Sequence, residues 1–247
     1  MNTNKNSYIF IYASVMVIIV AFLLAFVSSA LKPMQQKNIE LDKKKQVLAA
    51  LNIFEKDAEA AYNTYVKADQ LLNADGTVAA ENGGFAVENA AVSAESLPLY
   101  VCEVNGETKY VLPLYGAGLW GPIWGYVGLN ADKETIYGVY FSHASETPGL
   151  GAEITNYDKF QKPFIGKKAL NATGDVIISV VKNGKVADAT CEVDGISGGT
   201  ITSNGVDAML KNSIGLYKAF LTKKCDKGAC AAKAECAEQC QTEVVNQ

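Results

Sequence analysis

Residues 99–115 read LYVCEVNGETKYVLPLY, two runs of aromatic, aliphatic and β-branched residues on either side of Asn105-Gly106. Asn-Gly between such runs is the strongest short-range signal for a hairpin, because both residues tolerate the positive φ that a tight turn demands. Working outward, TIYGVYFS (135–142) and VIISVV (176–181, followed by Asn183-Gly184) continue the strand pattern. Antiparallel strands with helical spacing toward both ends of the chain predict an α+β domain, its sheet mainly antiparallel and flanked by helices. VCEVNG (101–106) and TCEVDG (190–195) echo each other, but one short echo does not establish duplication.

Toward the N-terminus no charged residue lies between Lys5 and Lys32, and Tyr8 to Leu31 is long and apolar enough to cross a bilayer as a helix. The alternative is a cleaved secretory signal, for which Ser28-Ser29-Ala30 has the small-x-small form; the apolar run exceeds the ~7–15 residues of a signal core, which favours an anchor. Lys32, Lys37, Lys43, Lys44 and Lys45 on the C-terminal flank outnumber Lys5, and on the positive-inside rule alone they would hold that side in the cytoplasm. Ile39, Val47, Leu48, Leu51 and Phe54, spaced among charges, predict a juxtamembrane amphipathic helix reaching about Leu72. Asn73-Ala74-Asp75-Gly76 breaks it, and 81–94 is loop-rich. The expected organisation is an N-terminus and transmembrane anchor (1–33), a juxtamembrane helical segment (34–72), a main domain (73–222) and a Cys-rich tail (223–247).

The net charge of −4 offers no footprint for a phosphate backbone, so nucleic acid is not expected as a partner. The six cysteines are at 102, 191, 225, 230, 236 and 240, none in a zinc-type CxxC pair, so no metal site is expected. Iron-sulfur ligation by the last four fits no standard spacing; their surroundings read as a disordered, disulfide-bonded extension.

The chemistry concentrates in residues 194–203, DGISGGTITS, directly before Val206, Met209, Leu210, Ile214, Tyr217, Phe220 and Leu221 at helical spacing. Asn204, with Asp207 three residues on, is the expected N-cap, and a glycine-rich loop running into a helix N-terminus is a natural seat for a phosphate. Gly198 and Gly199 carry no side chain that would shield the Thr200 hydroxyl. The plain alternative is a Gly/Ser/Thr turn capping a helix. Gly116-Ala-Gly118-Leu-Trp-Gly121 matches GxGxxG formally, but a dinucleotide fingerprint must end a strand and open a helix, whereas PIWGY is strand-like. Around Pro148-Gly149, SHASETPGLGAEI (142–154) reads as a turn, and His143 as structural.

Asp194, Gly195, Ser197, Gly198, Gly199 and Thr200 resemble the flavinylation signature of electron-transfer flavoproteins, with Gly199 where alanine is more usual. YVLPLYGAGLWGPIWGYVGL (110–129), SHASETPGLGAEI and the anchor, in that order, resemble the C subunits of the sodium-translocating NADH:quinone oxidoreductases. The resemblance implies FMN bound covalently through a phosphoester to Thr200, with Asp194, Ser197, Gly198 and Gly199 forming the loop and Glu146, Thr147, Leu150 and Trp120 near the flavin. It implies a relay without its own NADH site, in which no residue of this chain is catalytic. The implied partners are the other membrane subunits, a flavin transferase that takes FMN from FAD during maturation, and membrane lipid. It also implies a single pass through the bacterial inner membrane with the domain on the periplasmic side, against the lysine count. The homologous component of the related ferredoxin:NAD oxidoreductase, a non-enzymatic anchored binding module and a flavin-dependent membrane regulator are the competing readings; GLWGPIWG favours the first family over its relative, and the single span disfavours a regulator.

Overall fold

The computed structural model describes residues 6–223. A long helix α1 (Asn6–Ala49) and a short α2 (Ala58–Tyr65) precede strands β1 (Val66–Leu72), β2 (Val78–Ala80), β3 (Leu97–Val104), β4 (Glu107–Ala117), β5 (Pro122–Leu129) and β6 (Ile136–His143). Strands β7 (Ser179–Val181) and β8 (Glu192–Asp194) follow, then α3 (Thr200–Leu216) and α4 (Lys218–Thr222). The first six strands form one antiparallel sheet in the order β2-β1-β3-β4-β5-β6. The hairpin forms where its sequence places it: β3 and β4 pair with Val104 opposite Glu107, and Asn105 and Gly106 take φ of 54° and 77°, the positive values a tight hairpin turn needs.

Three expectations need correction. The helix expected to reach Leu72 ends at Ala49; after a turn with Asn52 at φ 57°, Asp57 caps α2 by accepting from the N–H groups of Glu59 and Ala60, and Val66–Leu72 is a strand paired with β3. VKADQLL has no alternation to announce a strand, and pairing with the hairpin decides its state, as tertiary context often does. VIISVV contributes only Ser179–Val181, and these pair in parallel with β8 rather than antiparallel. The third, the start of α3, belongs with the site below.

The sheet carries cores on both faces. On one, Val206, Met209, Leu210, Ile214 and Tyr217 of α3 pack among Leu112, Leu114, Val127, Val139 and Phe141. On the other, Val47, Ala50 and Leu51 from the end of α1 pack with Tyr100, Cys102, Val111 and Tyr126. Burial pushes the Cys102 thiol up to about 12, which suits a packing residue. Cys102 and Cys191 are free; Cys225, Cys230, Cys236 and Cys240 lie outside the described residues.

The last turn of α1 lies directly on the sheet because Gly128 and Gly138 face each other across β5 and β6 beneath it. A Cβ on either would come within 2.6 Å of the Ala50 carbonyl oxygen. Lys43 locks the same helix from the side, donating to the carbonyls of Phe85 and Val87 at 2.6 Å each, with burial lowering its pKa. Below this seam, Phe10, Ile18, Phe22 and Leu24 of α1 are exposed on the isolated chain, and α1 is long and apolar enough to cross a membrane. Gly128→Ala is expected to lower stability by about 1–3 kcal/mol, the usual cost of overpacking a close contact, read as an earlier urea unfolding midpoint of the detergent-solubilised chain; an unchanged midpoint would show that the seam is not tight.

Candidate functional site

Three segments meet at one end of the sheet: the β4–β5 turn (118–121), the loop 143–151 and the first turn of α3. A carboxylate holds them together. Glu146 is 5% exposed; its Oε1 accepts from the Trp120 N–H at 2.9 Å and its Oε2 from the Thr202 hydroxyl at 2.6 Å. Its own N–H donates to His143 Nδ1 at 3.2 Å, the structural role expected of that histidine. Gly118 and Gly151 must lack side chains here, since a Cβ on either would collide with the carboxylate. Burial alone would raise the Glu146 pKa and is the largest single influence, but hydrogen bonds from the Thr202 hydroxyl and the Trp120 and Leu119 N–H groups bring it below the ordinary value.

Helix α3 starts at Thr200 with Gly199 as its N-cap, five residues before the expected cap Asn204. No side chain caps this terminus; the buried Ser203 hydroxyl instead ties the first turn to the preceding loop, donating to the Gly199 carbonyl and accepting from the Ile196 N–H, both at 2.9 Å. Asn204 is exposed, and Asp207 instead holds β7, accepting from Ser179 Oγ at 2.8 Å and the Val180 N–H at 2.9 Å. The first helical bond in this turn runs from the Ser203 N–H to Gly199. The N–H groups of Thr200, Ile201 and Thr202 are those that a helix start leaves without intrahelical partners, and with the helix dipole they favour an anion.

Thr200 and Thr202 lie two residues apart, so they cannot share a helix face. Thr202 is 1% exposed and committed to Glu146, whereas Thr200 is exposed at the lip of a cleft of about 240 Å³. Of the residues singled out from the sequence, Glu146, Thr147, Leu150, Gly198, Gly199 and Thr200 line this cleft together. Gly198 has φ 78°, a left-handed conformation that favours glycine, and Leu150 Cδ2 would lie 2.8 Å from a Cβ placed there. Ser197 and Asp194 fall outside, lining a neighbouring depression with Asn183; Asp194 Oδ1 accepts from the Gly184 N–H at 2.6 Å and so steadies the Asn183-Gly184 turn. Trp120 reaches the site through its backbone, its side chain being 66% exposed. Leu119, Gly151, Ile201 and Thr202 also line the cleft. Thr202 was visible in sequence only as a second hydroxyl; its partner 56 residues away was not. GAGLWG runs into β5 rather than a helix, which removes the dinucleotide reading.

A phosphate fits this arrangement: open helix N–H groups, a glycine wall that a single Cβ would fill, and one free hydroxyl beside them. The lowered pKa of Glu146 has a consequence for stability. Its contribution is present above the ordinary glutamate value of 4.5 and is lost as pH falls through the lower folded value. Glu146→Gln is therefore expected to cost about 1–3 kcal/mol at neutral pH, with the wild-type advantage in Tm shrinking as pH falls below about 4; an advantage unchanged down to pH 3 would contradict the charged network.

Residues 118–215, which span the β4–β5 turn, the Glu146 loop and α3, match the family described as FMN-binding domain. The chain is 32% identical over 231 residues to the C subunit of the Na(+)-translocating NADH-quinone reductase of Haemophilus ducreyi, covering 82% of this chain and 89% of that protein. It is 30% identical over 254 residues to the same subunit from Pseudomonas aeruginosa, covering 89% and 96%. Among solved structures, the C subunit from Parabacteroides distasonis superposes with a TM-score of 0.74 at 44% identity, over 78% of this chain and 98% of that one; NqrC of Shewanella oneidensis gives 0.64 at 26% identity, over 75% and 96%. Shared length, fold and the position of the matched domain over the cleft together place this chain in the NqrC family, the C subunits of the Na(+)-translocating NADH-quinone reductases.

Proposed function

We propose that the chain, as the electron-carrier subunit of a sodium-translocating NADH-quinone reductase, carries FMN as a phosphoester on Thr200. The observation that carries the reading is the contrast between two threonines two residues apart. The Thr200 hydroxyl stands exposed at the start of α3 beside open N–H groups, while that of Thr202 is buried on Glu146. FMN, when bound, supplies reversible electron acceptance and donation. The chain's own residues hold and shape its place. Thr200 carries the phosphate, the first turn of α3 and the 198–199 backbone neutralise it, and Thr147 with nearby N–H groups offers hydrogen bonds to a polar ring edge. Leu119, Leu150 and the exposed Trp120 offer apolar surface to a planar ring. Glu146 acts as a positioning residue by holding the three walls in register.

A covalent tether suits a carrier on an exposed domain, where a free cofactor would be lost by diffusion. The relay has no NADH site of its own, receives electrons from one membrane subunit and delivers them to another on the way to quinone. A flavin transferase supplies the FMN during maturation. The domain then lies on the periplasmic side of a bacterial inner membrane. Lysines 43 and 44, which on a simple count oppose that orientation, are engaged in the fold, Lys43 with the 85–87 carbonyls and Lys44 with Glu59 at 3.1 Å, so they need not report topology.

Co-expression with a flavin transferase, followed by in-gel fluorescence and intact mass, tests the proposal. Wild type is expected to gain the mass of FMN less one water and to fluoresce after denaturation; Thr200→Val loses both. Thr202→Val keeps the label while losing about 1–3 kcal/mol of stability with its bond to Glu146. Label persisting in Thr200→Val, or lost in Thr202→Val alone, would move the linkage.

A further inference from the structure

Gly116-Ala-Gly118-Leu-Trp-Gly121 is not a dinucleotide fingerprint, yet each of its glycines has a use in the fold. Gly116 lets α3 approach the sheet, since a Cβ there would lie 2.8 Å from Met209 Cβ. A Cβ on Gly118 would strike Glu146 Oε1. One on Gly121 would come within 2.6 Å of Ser145 Oγ, with nothing else nearer than 3.6 Å. Neither Gly118 nor Gly121 has a positive φ, so it is space, and not backbone conformation, that a side chain would lack. The two glycines that bracket Leu119-Trp120 thus make room for two consecutive side chains of the 143–151 loop.

Those two side chains grip both polar backbone atoms of one residue. Glu146 Oε1 accepts from the Trp120 N–H at 2.9 Å, and the Ser145 hydroxyl donates to the Trp120 carbonyl at 3.0 Å. The Gly118 N–H closes the turn on the Gly121 carbonyl at 2.8 Å, and the Ala144 N–H ties the loop to the Pro122 carbonyl at 3.0 Å. Without these bonds the turn would fluctuate, for it has glycine at both ends and two large apolar side chains, 47% and 66% exposed, between them. The Ser145 bond is itself exposed to solvent, and a neutral hydrogen bond shifts an opening equilibrium by only a factor of about 2–10, so its effect is local. What it sets is orientation. Leu119, next to the held residue, lines the cleft with Leu150 and Thr200, and a wall fixed before its ligand arrives carries no ordering cost on binding.

We propose that Ser145 and Glu146 form a two-point lock on the Leu119-Trp120 turn, and that Ser145 is a positioning residue of the cleft: by holding the Trp120 carbonyl it keeps Leu119 in the wall that bounds the space for the flavin. Glu146 holds the N–H side of Trp120 and Ser145 the carbonyl side, and two points on one residue leave its peptide planes little freedom to rotate. Gly121 enters only through the space it leaves for the Ser145 hydroxyl. The lock is a property of the bare chain; its effect on the cofactor rests on FMN being carried at Thr200.

Amide hydrogen exchange of the 118–121 turn, in the full detergent-solubilised chain without flavin, reads the lock directly. Ser145→Ala is expected to speed exchange there by about 2–10-fold, the worth of one such bond, with α3 and the rest of the sheet unchanged. Ser145→Thr, which keeps a hydroxyl, is expected to restore the wild-type rate. Gly121→Ala is expected to match Ser145→Ala, because its methyl takes the place of the hydroxyl. The double variant then exchanges no faster than either single one, since removing the hydroxyl clears the space. Exchange unchanged in Ser145→Ala, or factors that multiply in the double variant, overturn the lock. In flavinylated chains compared at equal FMN content by intact mass, Ser145→Ala is expected to raise the quenching of flavin fluorescence by iodide, and Ser145→Thr to leave it at the wild-type value. Faster exchange with unchanged quenching refutes the role toward the cofactor. A wild type that carries no adduct refutes FMN at Thr200 itself, and the exchange rates still decide the lock.

Discussion

A buried carboxylate must be fully hydrogen-bonded or it destabilises what surrounds it, and the cleft-bearing end of this domain is arranged around that requirement. Glu146 draws the Trp120 N–H from one hairpin turn and the Thr202 hydroxyl from the start of α3, and it sits where Gly118 and Gly151 leave room. Three segments distant in sequence are thereby fixed to one another within hydrogen-bonding tolerance. The distinction between Thr200 and Thr202 is a by-product of that hub. One hydroxyl is consumed in satisfying the carboxylate, and the helical twist then leaves the other on the open side.

Close approach governs the opposite face as well. The end of α1 packs where a Gly128–Gly138 pair permits the approach of backbone to backbone, and Lys43 ties it to the 85–87 loop. The apolar helix is consequently continuous with the core of the domain rather than joined to it by a loose linker. Membership of a membrane-complex family and a fold built directly onto its own span are consistent, since a relay works over distances that a flexible tether would not hold.

Much of this was legible along the chain. Asn105-Gly106 announced the hairpin because positive φ at two successive residues has few sequence solutions, whereas Gly198-Gly199-Thr200 before a helix suited a phosphate seat and a plain capping turn equally, and only the resemblance chose between them. What was not legible depended on partners remote in sequence. Val66–Leu72 became a strand because β3 offers it an edge, and β7 paired in parallel because the chain returns to it at β8. The N-cap fell at Gly199 rather than Asn204, and Ser203, from within the first turn, binds the Ile196 N–H and the Gly199 carbonyl of the loop. Glu146 could be named as a site residue by resemblance, but its role as the hub required seeing Thr202 beside it. The Cys-rich tail lies outside the described residues.

On the proposed function Thr200, and not the also exposed Ser197 or the buried Thr202 and Ser203, accepts the cofactor phosphate. Tandem mass spectrometry of the flavinylated peptide containing Ser197, Thr200, Thr202 and Ser203, from protein matured with a flavin transferase, tests it most directly. Fragment ions are expected to place the whole adduct on Thr200. An adduct on Thr202, Ser197 or Ser203, or a peptide that remains unmodified in flavin-replete protein, would contradict it.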